Sequence, residues 1–247
     1  MPLNNQTVTI ITGASSGIGA ATARRLSEAG TQVILAARNE EKLKRIVADI
    51  KKNGGKADYC VTDVTSRDDV QKLIHKVKEK HGKIDHLINN AGLMLFSEWE
   101  DVAVDDWKKM IDTNIHGYLN AIAAILPVFI AQKSGQILNM SSVAGIHTGG
   151  SSGVYSATKF FIRGVTESLR REVGVNNGIQ ISMVSPGVID TGWADKVKDD
   201  EGKKVAQELN KIAITPEQVA DAVAYALDKP SELTINDIII QPTRQDW

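Results

Sequence analysis

Val8-Thr9-Ile10-Ile11-Thr12-Gly13-Ala14-Ser15-Ser16-Gly17-Ile18-Gly19 runs from a β-branched stretch through three glycines into an alanine-rich segment. The first four residues read as a strand. Ile18 to Ala29 reads as a helix that stops before Gly30. Glycines at such a junction permit positive φ and let a diphosphate approach the backbone without meeting a Cβ. The helix start adds unpaired N–H groups and a partial positive charge. Gly13, Ser15, Ser16, Gly17, Ile18 and Gly19 are therefore the expected diphosphate cradle. The spacing departs from the usual G-x-G-x-x-G, and a plain tight turn is the competing reading.

Outward from this turn, short apolar runs alternate with longer helical stretches. The expected strands are Val8–Ile11, Gln32–Ala36, a weaker one at Ala57–Val61, His86–Asn89, Gly135–Met140, Ile179–Val184 and Asp237–Ile240. Several are apolar throughout, which suits strands covered on both faces of a parallel sheet. The expected helices after Ile18–Ala29 are Glu40–Asn53, Ser66–His81, Val104–Gln132 with a kink at Pro127, Tyr155–Val173 and Pro216–Leu227. Ser66 with Asp69 three residues on resembles a capped start. Strand–helix–strand repetition predicts an α/β fold: a single-domain Rossmann arrangement over residues 1–247, with a doubly wound seven-stranded parallel sheet and helices on both faces. The charged stretch Asp195–Lys204 reads as a solvated segment or a lid beside the site.

Composition narrows the function. Among 247 residues, 29 basic and 30 acidic side chains leave a net charge of -1, which gives no footprint for nucleic acid or an anionic membrane. The one cysteine, Cys60, excludes an internal disulfide and a cysteine-based zinc site. The histidines, at 75, 81, 86, 116 and 147, show no His-x-x-x-His spacing, and no metal is expected. The start MPLNNQTVTI lacks the pattern of a signal peptide, and the apolar run Ala121–Ala131 falls short of the roughly 20 residues that span a bilayer. The expectation is a soluble, cytoplasmic protein.

The end of the second strand bears on the nucleotide. An NAD site usually carries a carboxylate there for the ribose hydroxyls. Here the residues are Ala36-Ala37-Arg38-Asn39, and Arg38 can fork onto a 2′-phosphate. NADP(H) is favoured over NAD(H). The competing reading makes Arg38 a solvated residue neutralised by Glu40 and Glu41.

Tyr155 and Lys159 stand four apart on an expected helix and share a face. A phenol titrates near 10, and a nearby ammonium favours the phenolate. Such a pair is common by chance. It does not stand alone: Thr12-Gly13-x-x-x-Gly17-x-Gly19, Asp63-Val64, Asn89-Asn90-Ala91-Gly92, Asn114, Ser142, Tyr155-x-x-x-Lys159 and Pro186-Gly187 follow in order. Over essentially its whole length the chain resembles the short-chain dehydrogenase/reductase family. Ala36-Ala37-Arg38 and Ile239-Ile240-Gln241-Pro242-Thr243 look like the compact NADP-dependent bacterial branch, including clavulanic-acid-dehydrogenase-like members.

The resemblance implies roles. Tyr155 would move the proton to or from the substrate oxygen. Lys159 would lower the Tyr155 pKa and hold the nicotinamide ribose. Ser142, preferred to Ser141 on its spacing to Tyr155, would polarise the carbonyl, and Asn114 would fix a relay water. Asn90 and Ala91 would line the adenosine ribose side, with Asn89-Asn90-Ala91-Gly92 closing the fourth strand and Gly92 among the cofactor contacts. Asp63 and Val64 would flank adenine, and Pro186, Gly187 and Thr191 would border the nicotinamide and diphosphate. A homotetramer follows from the same resemblance, with a small carbonyl or alcohol substrate. The rival reading is a non-catalytic nucleotide-binding regulator on the same fold. Leu93, Met94, Val188 and Trp193 are candidate pocket walls, His147 a candidate lining residue, and Trp247 a candidate interface residue.

Overall fold

A computed structural model describes residues 2–192, 204 and 207–246. Seven strands form one sheet: β1 Val8–Thr12, β2 Gln32–Ala37, β3 Lys56–Val61, β4 His86–Asn89, β5 Gln136–Met140, β6 Gln180–Pro186 and β7 Asp237–Ile240. Their order is β3-β2-β1-β4-β5-β6-β7, and every pair is parallel. The order reverses between β1 and β4. A crevice opens there at the carboxyl ends of the strands, where such sheets bind ligands.

The helices are α1 Gly17–Glu28, α2 Glu40–Lys52, α3 Arg67–His81, α4 Val104–Ile111, α5 Gly117–Gln132, α6 Gly153–Leu169, the single turn α7 Val175–Asn177 and α8 Pro216–Leu227. Alternate strand residues feed opposite faces. Ile11, Leu35 and Leu138 pack under α1, α2 and α8, whereas Ile10, Ile34 and Ile137 pack under α3 and α5. The Rossmann α/β architecture is therefore the one expected, with each of the seven strands where the apolar runs place it. Ser66 caps α3 by accepting from the Asp69 amide at 3.3 Å, as its spacing predicts. Thr215 and Gln218 form a reciprocal cap on α8.

Three local departures matter. The weak third run is a full edge strand, because β2 supplies it with a paired neighbour. β6 runs on to Pro186, held by the Gly187 amide donating to Ile240 O at 2.8 Å. The stretch 104–132 is one helical path, but its hydrogen bonding shifts to the wider π spacing at Asp112–His116, well before Pro127. By length and composition this path would cross a membrane, with a mean hydropathy of 1.5. Its residues Tyr118, Ala121, Ile122, Ile125 and Phe129 are instead buried in the protein. Trp193, Trp247 and the stretch Asp195–Lys204, except Lys204 itself, lie outside the described residues.

Candidate active site

The glycine turn is built as a cradle. Gly13 has φ 66°, and a Cβ there would stand 2.7 Å from Ala91 Cα. A Cβ on Gly19 would meet the Asn90 amide at 2.6 Å. These contacts press the β1–α1 turn against the end of β4. Thr12 and Asn90 fasten the junction. Thr12 Oγ1 donates to Ile88 O and accepts the amides of Asn90 and Ala91 at 3.0 and 3.1 Å. Asn90 Nδ2 donates to Thr12 O at 2.9 Å and to Gly13 O at 3.3 Å. The start of α1 is left unfilled: Ser16 caps it with no side-chain bond, and no acid sits in its first turn. Its amides stay available to an anion. Thr191 approaches the same turn, with its Cγ2 3.2 Å from where a Gly17 Cβ would lie.

A cleft of about 420 Å³ opens over this turn, with Ser15, Ser16, Gly17, Lys42, Arg45 and Thr191 in its walls. Among the described residues those walls do not include Ser142, Tyr155 or Lys159, so the cleft lies at the glycine-turn end of the site. Arg38, just past the end of β2, is exposed. Glu40 and Glu41 both pair with Lys44, and among the described residues Arg38, Lys42 and Arg45 form no ion pair. Arg38 is thus solvated, as the competing reading has it, while Glu40 and Glu41 are engaged by Lys44.

Asp63 and Val64 have visible local tasks. The Asp63 carboxylate accepts from the Thr65 amide and hydroxyl at 2.9 and 2.8 Å, turning the chain from β3 toward α3. Val64 is buried, with its Cγ2 2.8 Å from a Cβ built on Gly117.

The chemical end lies at the carboxyl edge of β5. Tyr155 and Lys159 do share a face of α6, with Lys159 Nζ 5.7 Å from the Tyr155 ring centre and 5.8 Å from that of Tyr118. Lys159 is 4% exposed, and its Nζ donates to Met140 O at 2.9 Å. Tyr118 donates to the same carbonyl at 2.8 Å. Ser142 Oγ donates to Pro186 O at 3.3 Å and accepts the Ala144 amide at 3.1 Å. Gly92 lies alongside, since a Cβ there would be 3.8 Å from Lys159 Nζ and 3.7 Å from Asn114 Oδ1.

Asn114 sits in the π turn. Its Oδ1 accepts the Leu93 amide at 2.8 Å, while its Nδ2 donates to Leu93 O at 2.8 Å and to Thr158 Oγ1 at 3.0 Å. Thr158 in turn donates to Tyr155 O at 2.7 Å. The side chain of Asn114 thus clamps the β4 loop and, through Thr158, the first turns of α6. Thr158, Tyr118 and the Met140 carbonyl went unremarked in the sequence. Only the place of Thr158, three residues after Tyr155 on the inner face of α6, hints at its part.

Electrostatics at this end departs from expectation. Burial pushes the Lys159 ammonium down to about 7 and raises the Tyr155 phenol, with the Ser142 hydrogen bond pulling Tyr155 the other way. Desolvation disfavours charge on both groups. Lys159 by itself therefore does not make the phenol acidic.

A family model described as short chain dehydrogenase matches residues 7–202. An uncharacterized oxidoreductase of Listeria monocytogenes is 45% identical over 250 residues, spanning 100% of both chains. The closed form of serine dehydrogenase complexed with NADP+ has the same fold, with a TM-score of 0.89 and 30% identity over 98% of this chain and 97% of that one. NAD+-bound xylitol dehydrogenase gives 0.87 and 29% over 97% and 98%. The chain belongs to the short-chain dehydrogenase/reductase family of oxidoreductases.

Proposed function

We propose that the protein interconverts a carbonyl and an alcohol with NADP(H), with Tyr155 as general acid/base. The observation that carries this reading is the convergence of Ser142, Tyr155 and Lys159 at the carboxyl end of β5, beside an α1 start whose amides are free. The cradle fits a dinucleotide diphosphate, because Gly13 and Gly19 have no room for a Cβ and no side chain caps α1. Related structures hold either nucleotide, so the choice rests on this chain. Arg38, just past the end of β2, favours a 2′-phosphate, since among the described residues no carboxylate pairs with it. In this reading Asp63, Val64, Asn90 and Ala91 border the adenosine half, while Gly92, Pro186, Gly187 and Thr191 border the other half.

A bound nicotinamide ring supplies or takes up the hydride. In reduction, the carbonyl oxygen gains the electron pair, and Tyr155 gives it the phenolic proton. Ser142 exchanges its bond to Pro186 O for that oxygen and holds it as charge builds. Lys159, poised near neutrality, favours the phenolate left behind once it is charged. Asn114 keeps the β4 loop and α6 in register and places the relay that returns a proton.

A cytoplasmic homotetramer of the clavulanic-acid-dehydrogenase-like branch completes the reading. Ile111, Leu119 and Phe160 expose apolar side chains on α4, α5 and α6 that a second copy would cover. Sedimentation is expected to give four chains, and a monomer at micromolar concentration would refute the assembly. The activity is tested with a panel of aldehydes and ketones, following NADPH and NADH oxidation in parallel. NADPH-dependent turnover is expected. Tight NADPH binding without oxidation across the panel would restore the regulator reading, and preference for NADH would remove Arg38 from its role.

A further inference from the structure

The segment Pro186–Thr191 leaves β6, borders the active site and ends against the glycine turn. Its backbone is held at nearly every step. Pro186 O accepts from the Ser142 hydroxyl, and the Gly187 amide donates to Ile240 O. Val188 O accepts the Ile214 amide at 3.1 Å, and the Asp190 amide donates to Ile214 O at 3.0 Å. The Thr191 amide donates to Ile189 O at 3.0 Å, and the Val188 amide donates at 3.0 Å to Gln245 Oε1. That partner comes from the far end of the chain, 57 residues away.

Gln245 is 5% exposed. The tail reaches this place by a turn, in which the Gln245 amide donates to Pro242 O at 2.9 Å and Gln241 Nε2 donates to Gln245 O at 3.4 Å. The amide group of Gln245 fills the space a side chain at 187 would need. A Cβ on Gly187 would meet Gln245 Oε1 at 2.2 Å and Gln241 Cβ at 2.7 Å. Gly187 is not in the left-handed region. Its lack of a side chain therefore serves the tail, not a turn.

We propose that the tail 241–246 is a latch, and that Gln245 is a positioning residue for the nicotinamide half of the site. It fixes the height of Val188, and through Val188 both neighbours of functional weight: Pro186 O, which orients the Ser142 hydroxyl, and Thr191, which packs against Gly17. Among the described residues, these hydrogen bonds of the latch run to Val188 and within the tail, on the side of Pro186 and Thr191. The latch therefore acts on one half of the nucleotide only. The inference deepens the dinucleotide reading above and rests on it.

The test compares NADPH with 2′,5′-ADP, a fragment that has the adenosine half alone, on Gln245→Ala, Gly187→Ala and the double variant. Losing one buried hydrogen bond is expected to weaken NADPH about tenfold in Gln245→Ala. The 2′,5′-ADP affinity stays within about twofold. Gly187→Ala should match the NADPH loss. In the Gln245→Ala background the same change should cost less, because the clashing amide is gone. Gln245→Glu keeps an acceptor for the Val188 amide and should recover most of the NADPH affinity.

Equal weakening of both ligands, in step with a lower melting temperature, would make the tail merely structural and overturn the proposal. So would additive effects of the two substitutions, or no effect on NADPH. Should the parent protein bind NADH and not NADPH, the nucleotide reading fails. The same cycle with NADH against 5′-AMP then decides the latch independently.

Discussion

The two ends of the active-site crevice are built on opposite principles. At the phosphate end, Thr12 and Asn90 satisfy one another and the backbone through five hydrogen bonds, and the unpaired amides of α1 face outward. This half is finished before anything binds. At the chemical end, burial drives Lys159 and Tyr155 toward their neutral forms. The geometry is set, but the charge distribution is incomplete. The difference teaches that backbone dipoles can be preorganised cheaply, whereas side-chain charges in a desolvated cleft need a partner to stay charged.

The sharpest way to break the comparison is Tyr155→Phe. It should lower kcat by about 10²–10⁴-fold while leaving NADPH affinity within about twofold, read by steady-state kinetics and nucleotide titration. A parallel loss of binding would mean the two ends are not separable. Arg38→Ala comes next. Removing a charge-assisted contact should weaken NADPH by about 10- to 100-fold and leave NADH unchanged. Equal effects on both nucleotides would remove the 2′-phosphate from Arg38.

Asn90→Ala probes the finished end directly. It leaves Thr12 O and Gly13 O without their amide donor. Stability in denaturant should fall by about 1–3 kcal/mol, with nucleotide affinity falling alongside. The pH dependence of the chemical end sharpens the comparison further. The Lys159 pKa lies near 7 in the fold and at 10.5 in the reference state. Between these values the unfolded chain binds more protons, so stability rises with pH by at most ~1.4 kcal/mol per unit. Below pH 7 the full cost of a buried ammonium is present. Tyr155, with its raised pKa, works in the opposite sense only above about pH 10. Melting curves from pH 7 to 10 without nucleotide should climb for the parent and stay flatter for Lys159→Met. Identical slopes would mean that Lys159 keeps its charge in the fold.

The strands were legible because both faces of the sheet are covered, so runs such as Val33–Ala37 and Ile137–Met140 stay apolar or small at most positions. β3 was weaker because Lys56, Asp58 and Cys60 interrupt it at the sheet edge. The π turn at Asp112–His116 has no glycine or proline to announce it. It exists beside a side chain, Asn114, that bonds to the backbone of Leu93 on another element. The pairing of Tyr155 with Lys159 followed from helical periodicity, but its electrostatic sense did not.

Sequence alone determined the α/β order, the glycine turn and the shared face of Tyr155 and Lys159. Each of these follows from contacts a few residues apart, and periodicity records such contacts. The tertiary structure decided that Arg38 has no acidic partner, that Lys159 sits near neutrality and that Gln245 holds Val188. Ion pairing, desolvation and the seat of a chain end depend on what distant segments bring to the same few ångströms. No local pattern encodes that.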